Sequence, residues 1–442
     1  MRYLLILPII VYTIGDTLRL SLSLRTGLSV KNAVLYFVVL MLAMRIVTRR
    51  GYRFELPVIR ACFGILITYA FCSILIAGLI VGYDGYRILD SVIALKSELV
   101  DDAIILGVYL YGTRTEKDGV FLVKVIVAAV TVANITYIAA FHGYIGIPGI
   151  GPGDCQRDCL GGRASGPFGH PNSTGPLIAA ILPAYVAIAR SSRGFSRALW
   201  IAGAMCSMAM LLMTASRGAF VAMLIGYPWA AYVFRRYLSL RQILLWTGAL
   251  IAISAVVLIL VEPHVAVLIR ERFVTESGVS DIGGLSSGRT DFWARALGAM
   301  MSMPLTLITG FGYNVYENMG FVFAPHNEYL RFWFELGLVG LFTFVFLVLR
   351  ALSTVRSSVD WASPLSRRYL IAFVFGFGAF LIAIFFGNAY EAWAYMWAYV
   401  GVSLRMALVA VETRDAAPAG AAIGRKRHVG LRDRSVPAGR SP

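Results

Sequence analysis

The sequence predicts an all-α polytopic membrane protein of about twelve transmembrane helices, and three observations predict it. Of 442 residues, 58% are hydrophobic and only 14% are charged, whereas a soluble domain carries about 25% charged residues. Mean hydropathy is +0.73. The apolar residues also fall in runs of about 20, the length that crosses the hydrocarbon core of a bilayer, and about a dozen such runs use more than half of the chain. A water-soluble globule is excluded. The excess of 40 Lys+Arg over 24 Asp+Glu, formally +16, would suggest a nucleic-acid partner in a soluble chain. Here its placement between apolar runs has a topological origin, and no nucleic acid is expected.

The candidate spans run over 3–18, 31–48, 61–82, 92–112, 119–141, 173–190, 197–215, 217–234, 243–262, 328–350, 369–387 and 389–411. The first is read as a retained span, because no A-x-A-like cleavage site follows it and it continues into Thr17, Leu18 and Arg19. The fourth contains Lys96, Glu98, Asp101 and Asp102, each costly at the bilayer centre, so its first half is read as interfacial or facing the bundle interior. With the amino terminus in the cytoplasm, the even-numbered connections are cytoplasmic, and those collect the basic residues. Arg45, Arg49, Arg50 and Arg53 follow the second span. Arg190, Arg193 and Arg197 follow the sixth, Arg235, Arg236 and Arg241 the eighth, and Arg350, Arg356, Arg367 and Arg368 the tenth. Arg19, Arg25 and Lys31 in the first outer loop are an exception that topology does not explain. Residues 1–411 thus form one transmembrane catalytic domain. Residues 412–442 are too poor in large apolar residues to fold and read as a disordered basic cytoplasmic tail, with Arg425, Lys426 and Arg427 near anionic headgroups.

This orientation leaves two long polar connections outside, residues 142–172 and the larger 263–327 between the ninth and tenth spans. The larger contains Leu285-Ser286-Ser287-Gly288-Arg289-Thr290-Asp291, then Gly310-Phe311-Gly312-Tyr313-Asn314, and ends Pro325-His326-Asn327-Glu328. Gly288 and Pro325 punctuate turns before helical patterns. Arg289 and His326 therefore fall at helix starts, whose N–H groups and positive dipole end suit phosphate. Arg217, in Thr214-Ala215-Ser216-Arg217-Gly218-Ala219, opens the eighth span at the same outer boundary. Each has a plainer reading: a solvated loop arginine for Arg289, snorkelling to headgroups for Arg217, a structural hydrogen bond at a helix start for His326. Their arrival on one face raises the functional reading. Two guanidinium groups can hold a lipid diphosphate through paired, charge-assisted hydrogen bonds. A histidine with an ordinary pKa near 6.5 can take a proton from an attacking hydroxyl. These are suitable parts for glycosyl transfer from a lipid diphosphate. No D-x-D occurs, and the first outer loop, Leu20 to Val30, carries no acid. Arginine is therefore expected to replace a divalent metal as charge stabiliser, with no metal and no other cofactor.

The shorter loop ends Arg163-Ala164-Ser165-Gly166-Pro167-Phe168-Gly169-His170-Pro171-Asn172-Ser173-Thr174. Its glycines and prolines impose a sharp turn into the sixth span, with Asn172 or Ser173 as a helix cap. His170 and Asn172 are carried as candidate substrate-binding residues, capping and turn formation being the alternative. Glu328, Arg331 and Glu335 share one helix face, as an ion ladder inside the bundle or, for Glu328 and Arg331, as substrate contacts with Glu328 orienting His326. Cys155 and Cys159 in the shorter loop suit a disulfide in an oxidising compartment, with metal binding as the weaker alternative. Cys62, Cys72 and Cys206 read as small buried apolar residues within spans.

With these residues assembled, the chain resembles the O-antigen ligase and O-antigen polymerase superfamily. The resemblance rests on the span count, the large outer loop, the turn ending in Pro171-Asn172, Ser216-Arg217-Gly218, Ser287-Gly288-Arg289, and His326 followed by ten residues and Gly337. It implies a GT-C-like fold in the bacterial inner membrane with the active site facing the periplasm. It also implies inverting transfer from an undecaprenyl-diphosphate glycan donor, to lipid A core in ligases or to another lipid-linked glycan in polymerases. The family's essential arginines and histidine map by motif onto Arg217, Arg289 and His326. The histidine-to-glycine motif and the single dominant outer loop favour a ligase, with an O-antigen or exopolysaccharide polymerase as the alternative. From a different class, a transporter of lipid-linked sugars would need polar groups lining a route across the midplane. The charged group of the fourth span is the feature that keeps that reading open.

Overall fold

The apolar runs fold into helices, some of which begin at a side-chain cap: Ser29, Thr115, His170, Asn327 and Ser363. The computed structural model describes residues 1–20, 23–25, 27–48, 56–151, 163–239, 289–321 and 326–415, with 241, 242, 244, 245, 248, 249, 251–253 and 256. Helix α1 (Ile6–Thr17) is followed by a small antiparallel hairpin, β1 (Ser23–Arg25) and β2 (Leu28–Ser29). Ser29 then caps α2 (Val30–Val47) in a reciprocal capping box with Asn32. Helix α3 (Pro57–Leu75) ends in a π-helical turn, Ile76–Val81. The fourth expected span is composite: α4 (Ile88–Leu95), a π-helical turn over Lys96–Val100, and α5 (Asp101–Gly112). Helix α6 (Glu116–Phe141) begins in a second capping box, Thr115 with Asp118. There follow α7 (Pro171–Ser191), α8 (Gly194–Thr214) and α9 (Arg217–Val233). The described part of the larger outer loop is itself folded, as α10 (Arg289–Ser302) and α11 (Leu305–Thr309). Last come α12 (Glu328–Ser358), α13 (Pro364–Ala383) and α14 (Tyr390–Asp415).

Among the described residues, eight helices are long and apolar enough to cross a membrane. They are α2, α3 with its π turn, α6, α7, α8, α12, α13 and α14. Helix α9 has 17 residues and α1 only 12. The expected span 243–262 falls mostly outside the described residues, as do residues 263–288 of the larger loop, Cys155 and Cys159, and the tail beyond Asp415. The centre of the bundle is α7, α13 and α14, in which 83%, 78% and 72% of the apolar window is buried, against 22% for α2. Close packing there depends on small residues. A Cβ added at Gly376 of α13 would collide with the carbonyl of Ala180 in α7.

The fourth span turns its charges inward, as its composition requires. Asp101 accepts hydrogen bonds from Lys96 (2.8 Å), Asn32 (2.6 Å) and Tyr36 (2.7 Å), so no acid there faces lipid unpaired. Two of the misplaced cations of the first outer loop are explained by contacts rather than topology. Lys31 pairs with Asp16. Arg19 donates to the Gly149 carbonyl and to Ser165 Oγ. One expectation for the cysteines fails: Cys62 is buried, but Cys206 is only partly buried and Cys72 is exposed on α3, where a helix face unmatched by a neighbour leaves it.

Helix α12 is broken. Gly337 sits at φ +62° within it, and the segment after α11 packs into the break. Gly310, at φ +75°, lies so close that a Cβ on either glycine would collide with the other strand's backbone, Ile308 or Glu335. Phe311 and Gly312 N–H groups donate to the carbonyls of Phe334 (2.9 Å) and Glu335 (3.0 Å), replacing helical partners. Tyr69 and Trp333 bond the carbonyls of Thr309 and Leu307 at 3.0 and 3.1 Å. The end of the outer loop is thus sewn into the bundle.

Candidate functional site

Four helix beginnings meet at the turn between α13 and α14. The Glu328 N–H, first in α12, donates to the carbonyl of Ile384 at 2.9 Å. Trp293 of α10 meets Phe385 edge to face, with centroids 5.3 Å apart. Gly218 of α9 is packed so that an added Cβ would lie 2.7 Å from Phe386 Cβ, and one on Gly387 would lie 3.0 Å from Asn172 Cβ of α7. Ser173 Oγ donates to Glu391 Oε2 at 2.6 Å. Each helix start carries backbone N–H groups without intrahelical partners and the positive end of its dipole. Collecting four of them makes the region electropositive before any side chain is counted.

The side chains add to that sign. His170 is the N-cap of α7, its Nδ1 accepting the Asn172 N–H at 3.0 Å. In a neutral ring this leaves the proton on Nε2. The His170 ring lies against His326, with centroids 6.2 Å apart and planes 19° from parallel. His326 holds a left-handed backbone, φ +48°, a conformation that costs a non-glycine residue energy and persists where the surroundings over-determine it. Burial, and then the charges of Arg289, His170 and Arg163, push its imidazole from an ordinary 6.5 down to about 4. His326 is therefore neutral at neutral pH, with a lone pair available to accept a proton.

Arg163 is the part that sequence reasoning missed. It is buried, its Nε donating to the Thr214 carbonyl at the end of α8 (2.8 Å) and its Nη2 to Asn172 Oδ1 (3.3 Å). It thereby ties the start of α7 to the turn that launches α9. That turn, Ala215 at φ +43° followed by Ser216, sets Arg217 as the first residue of α9, half-buried. The chain from Arg163 is held by the Ala164 N–H on the Met213 carbonyl (3.0 Å) and by Thr174 Oγ1 on the Ser165 carbonyl (2.9 Å). The motif containing Arg163 was visible in the sequence. Nothing in it distinguishes a clamping arginine from a solvated one.

The expected site residues divide. His170, Asn172, Arg289 and His326 come together; Arg217 reaches the same rim through Gly218 and Phe386. Glu328 and Arg331 belong to a separate cluster inside the bundle. Arg331 pairs with Glu98, with Glu328 (3.3 Å) and with Glu335 (3.5 Å), and lies over the Tyr390 ring at 4.7 Å. Tyr313 donates to Glu98 at 2.8 Å. The ion-ladder reading of these residues describes the geometry. The orientation of His326 by Glu328 does not: the helix begins between them, which turns the Glu328 carboxylate to Arg331, and His170 takes the place beside His326. The cavity next to this cluster is about 30 Å³, room for a water or two.

A family model described as O-antigen ligase matches residues 202–345, from α8 into α12. Through this segment the chain is similar to the O-antigen ligase family. No curated protein matches the chain. The O-antigen ligase segment contains Arg217, Arg289, His326 and Gly337, together with the outer-loop helices α10 and α11 that pack on them. His170, Asn172, Arg163 and the turn after α13 lie outside it, so flanking helices complete the candidate site. Among the described residues, no group of three His, Cys, Asp or Glu gathers to hold a metal.

Proposed function

We propose that this chain is a membrane enzyme of the O-antigen ligase and polymerase family, of the ligase kind, moving a glycan from undecaprenyl diphosphate to lipid A core on the periplasmic face of the bacterial inner membrane. The observation that carries this reading is a neutral, half-buried His326 beside Arg289, Arg163 and the His170 ring at converging helix starts. A diphosphate supplies the negative charge such a site lacks. Arg289 and Arg217 hold it by charge-assisted hydrogen bonds. His326 removes the proton from the acceptor hydroxyl as that oxygen bonds to the anomeric carbon. The bond from that carbon to the phosphate oxygen breaks on the opposite side, its electron pair leaving on undecaprenyl diphosphate stabilised by the arginines. One displacement inverts the anomeric centre. Charge stabilisation by arginine makes the reaction independent of a divalent metal. Gathering the basic connections, Arg190, Arg356, Arg367 and Arg368, at the opposite end of the bundle supports the periplasmic orientation.

The test is purified protein with lipid-diphosphate glycan and lipid A core, with chelator present, scored by gel shift. Transfer onto the core that is lost in His326→Ala is the expected result. Elongation of the lipid-linked glycan with the core untouched makes the protein a polymerase. No reaction with either acceptor overturns the enzymatic reading and returns attention to transport, against which the small cavity at the Arg331 cluster already weighs.

A further inference from the structure

Within the larger outer loop, one stretch has the composition of a span. From Ala296 to Tyr316 the sequence carries no Asp, Glu, Lys, Arg or His, whereas Arg289, Asp291 and Arg295 precede it and Glu317 follows. A segment surrounded by water has no need to shed every charge; in hydrocarbon each charge is costly. The surface of the stretch agrees. Met301, Met303, Leu305 and Ile308 are 55–71% exposed, apolar side chains gathered at the end of α10 and along α11.

Two neighbouring helices fix how deep this stretch lies. Helix α13, with 20 residues, is about 30 Å long and just crosses the hydrocarbon core. The Ile384 carbonyl at its outer end accepts from the Glu328 N–H, so Glu328 marks the outer boundary. Gly310 lies against Gly337 of α12, about 14 Å below that mark. Helix α3 gives the same depth by an independent route: Tyr69, the middle residue of Pro57–Val81, donates to the Thr309 carbonyl. From there the chain climbs beside the outer half of α3. The Tyr313 N–H donates to Ser73 Oγ (3.1 Å), the Tyr86 hydroxyl to the Tyr313 carbonyl (2.7 Å), and Asn318 Nδ2 to the Asp84 carbonyl (3.1 Å). On the way down, Trp293 meets Phe385 at the boundary, and Ala296 and Met300 then cluster with Phe334 of α12.

We propose that residues 296–316 form a re-entrant hairpin that dips from the outer boundary to near mid-depth, with Met301, Met303, Leu305 and Ile308 against the acyl chains of the outer leaflet. Non-helical backbone survives at that depth only where protein satisfies its polar groups. The turn meets that condition: the N–H groups of Phe311, Gly312 and Tyr313 are bonded to the Phe334 carbonyl, the Glu335 carbonyl and Ser73 Oγ. The lipid contact does not depend on glycan transfer. What it gives the candidate site is height. Helix α10 begins at Arg289 and runs on into the hairpin, so an element seated in lipid carries that arginine at the membrane surface.

The test uses full-length, unmutated protein in nanodiscs of phosphatidylcholine that carries a photoreactive diazirine either in mid-acyl chain or on the headgroup. After irradiation, label is mapped by mass spectrometry on the peptide that trypsin releases between Arg295 and Arg331. Met301, Met303, Leu305 and Ile308 should take the acyl-chain label about fivefold or more above the headgroup label. Hydroxyl-radical oxidation of the same nanodiscs should spare Met301 and Met303 while Tyr144, 82% exposed, reacts. Headgroup label in excess of acyl-chain label puts the hairpin on the membrane surface and overturns the proposal. Absence of both labels also overturns it: oxidised methionines then mean that the face meets water, and protected ones that another part of the protein covers it.

Discussion

Within three turns of one helix, two charged regions are built on opposite rules. At the start of α12, His326 lies beside Arg289, Arg163 and the His170 ring, which disfavour its protonated form. One to two turns further on, Arg331 is met by Glu98, Glu328 and Glu335, with Tyr390 stacked on its guanidinium. The first region must import negative charge to become electrically comfortable. The second supplies its own, and what remains of its interior holds little more than water. The contrast separates a receiving site from a structural one although both are rich in arginine: the sign of the neighbours, rather than the presence of a buried charge, marks where a substrate belongs.

Four substitutions break or sharpen that comparison. The largest effect belongs to the receiving site: Arg289→Ala should lower glycan transfer by about a thousandfold or more, with the protein inserted and folded as before. Transfer at normal expression would reject its role. In the structural cluster the sign of the result reverses. Arg331→Met strands three acids and should cost about 3–5 kcal/mol of stability, read as loss of folded protein in a thermal melt. Transfer abolished at unchanged melting temperature would move Arg331 into the active site. Gly337→Ala places a methyl against the Ile308 carbonyl at a left-handed φ, and should cost about 1–3 kcal/mol, visible as faster proteolysis of the outer loop.

The smallest effect is on pH dependence. His326 must be neutral to accept a proton, so in the donor-free enzyme kcat/KM should fall only as pH drops toward about 4. A positive neighbour disfavours the protonated ring, so its removal raises the pKa. Arg163→Gln should therefore move the acid limb upward by about one unit. An unmoved limb would show that Arg163 acts on helix placement alone.

The helices were legible because lipid demands long apolar runs and their ends carry caps and punctuation that local chemistry requires. The inward turn of the fourth span followed from the cost of its acids. Motif order singled out Arg289, Arg217 and His326, and the fold sets the Arg289 charge near the His326 ring. Arg163 was not, because its role depends on Thr214 and Asn172, which approach it only through folding. Glu328 misled for the opposite reason. Two residues from His326 in sequence, it is separated from it by a helix start, and helix geometry rather than sequence distance decides which way a side chain points. The break at Gly337 was not legible, because its partners, Ile308 and Gly310, approach it only through folding.

That break gives the interval between His326 and Gly337 a metrological meaning. Gly337 is locked to the re-entrant turn at Gly310, and the intervening residues form a rigid rod capped by Asn327. Each residue in that rod contributes about 1.5 Å of depth and about 100° of rotation. The count of ten therefore acts as a ruler anchored inside the membrane, setting both the height and the bearing of the imidazole. Adding or deleting a single residue would turn the imidazole by about 100° and aim the base away from its substrate.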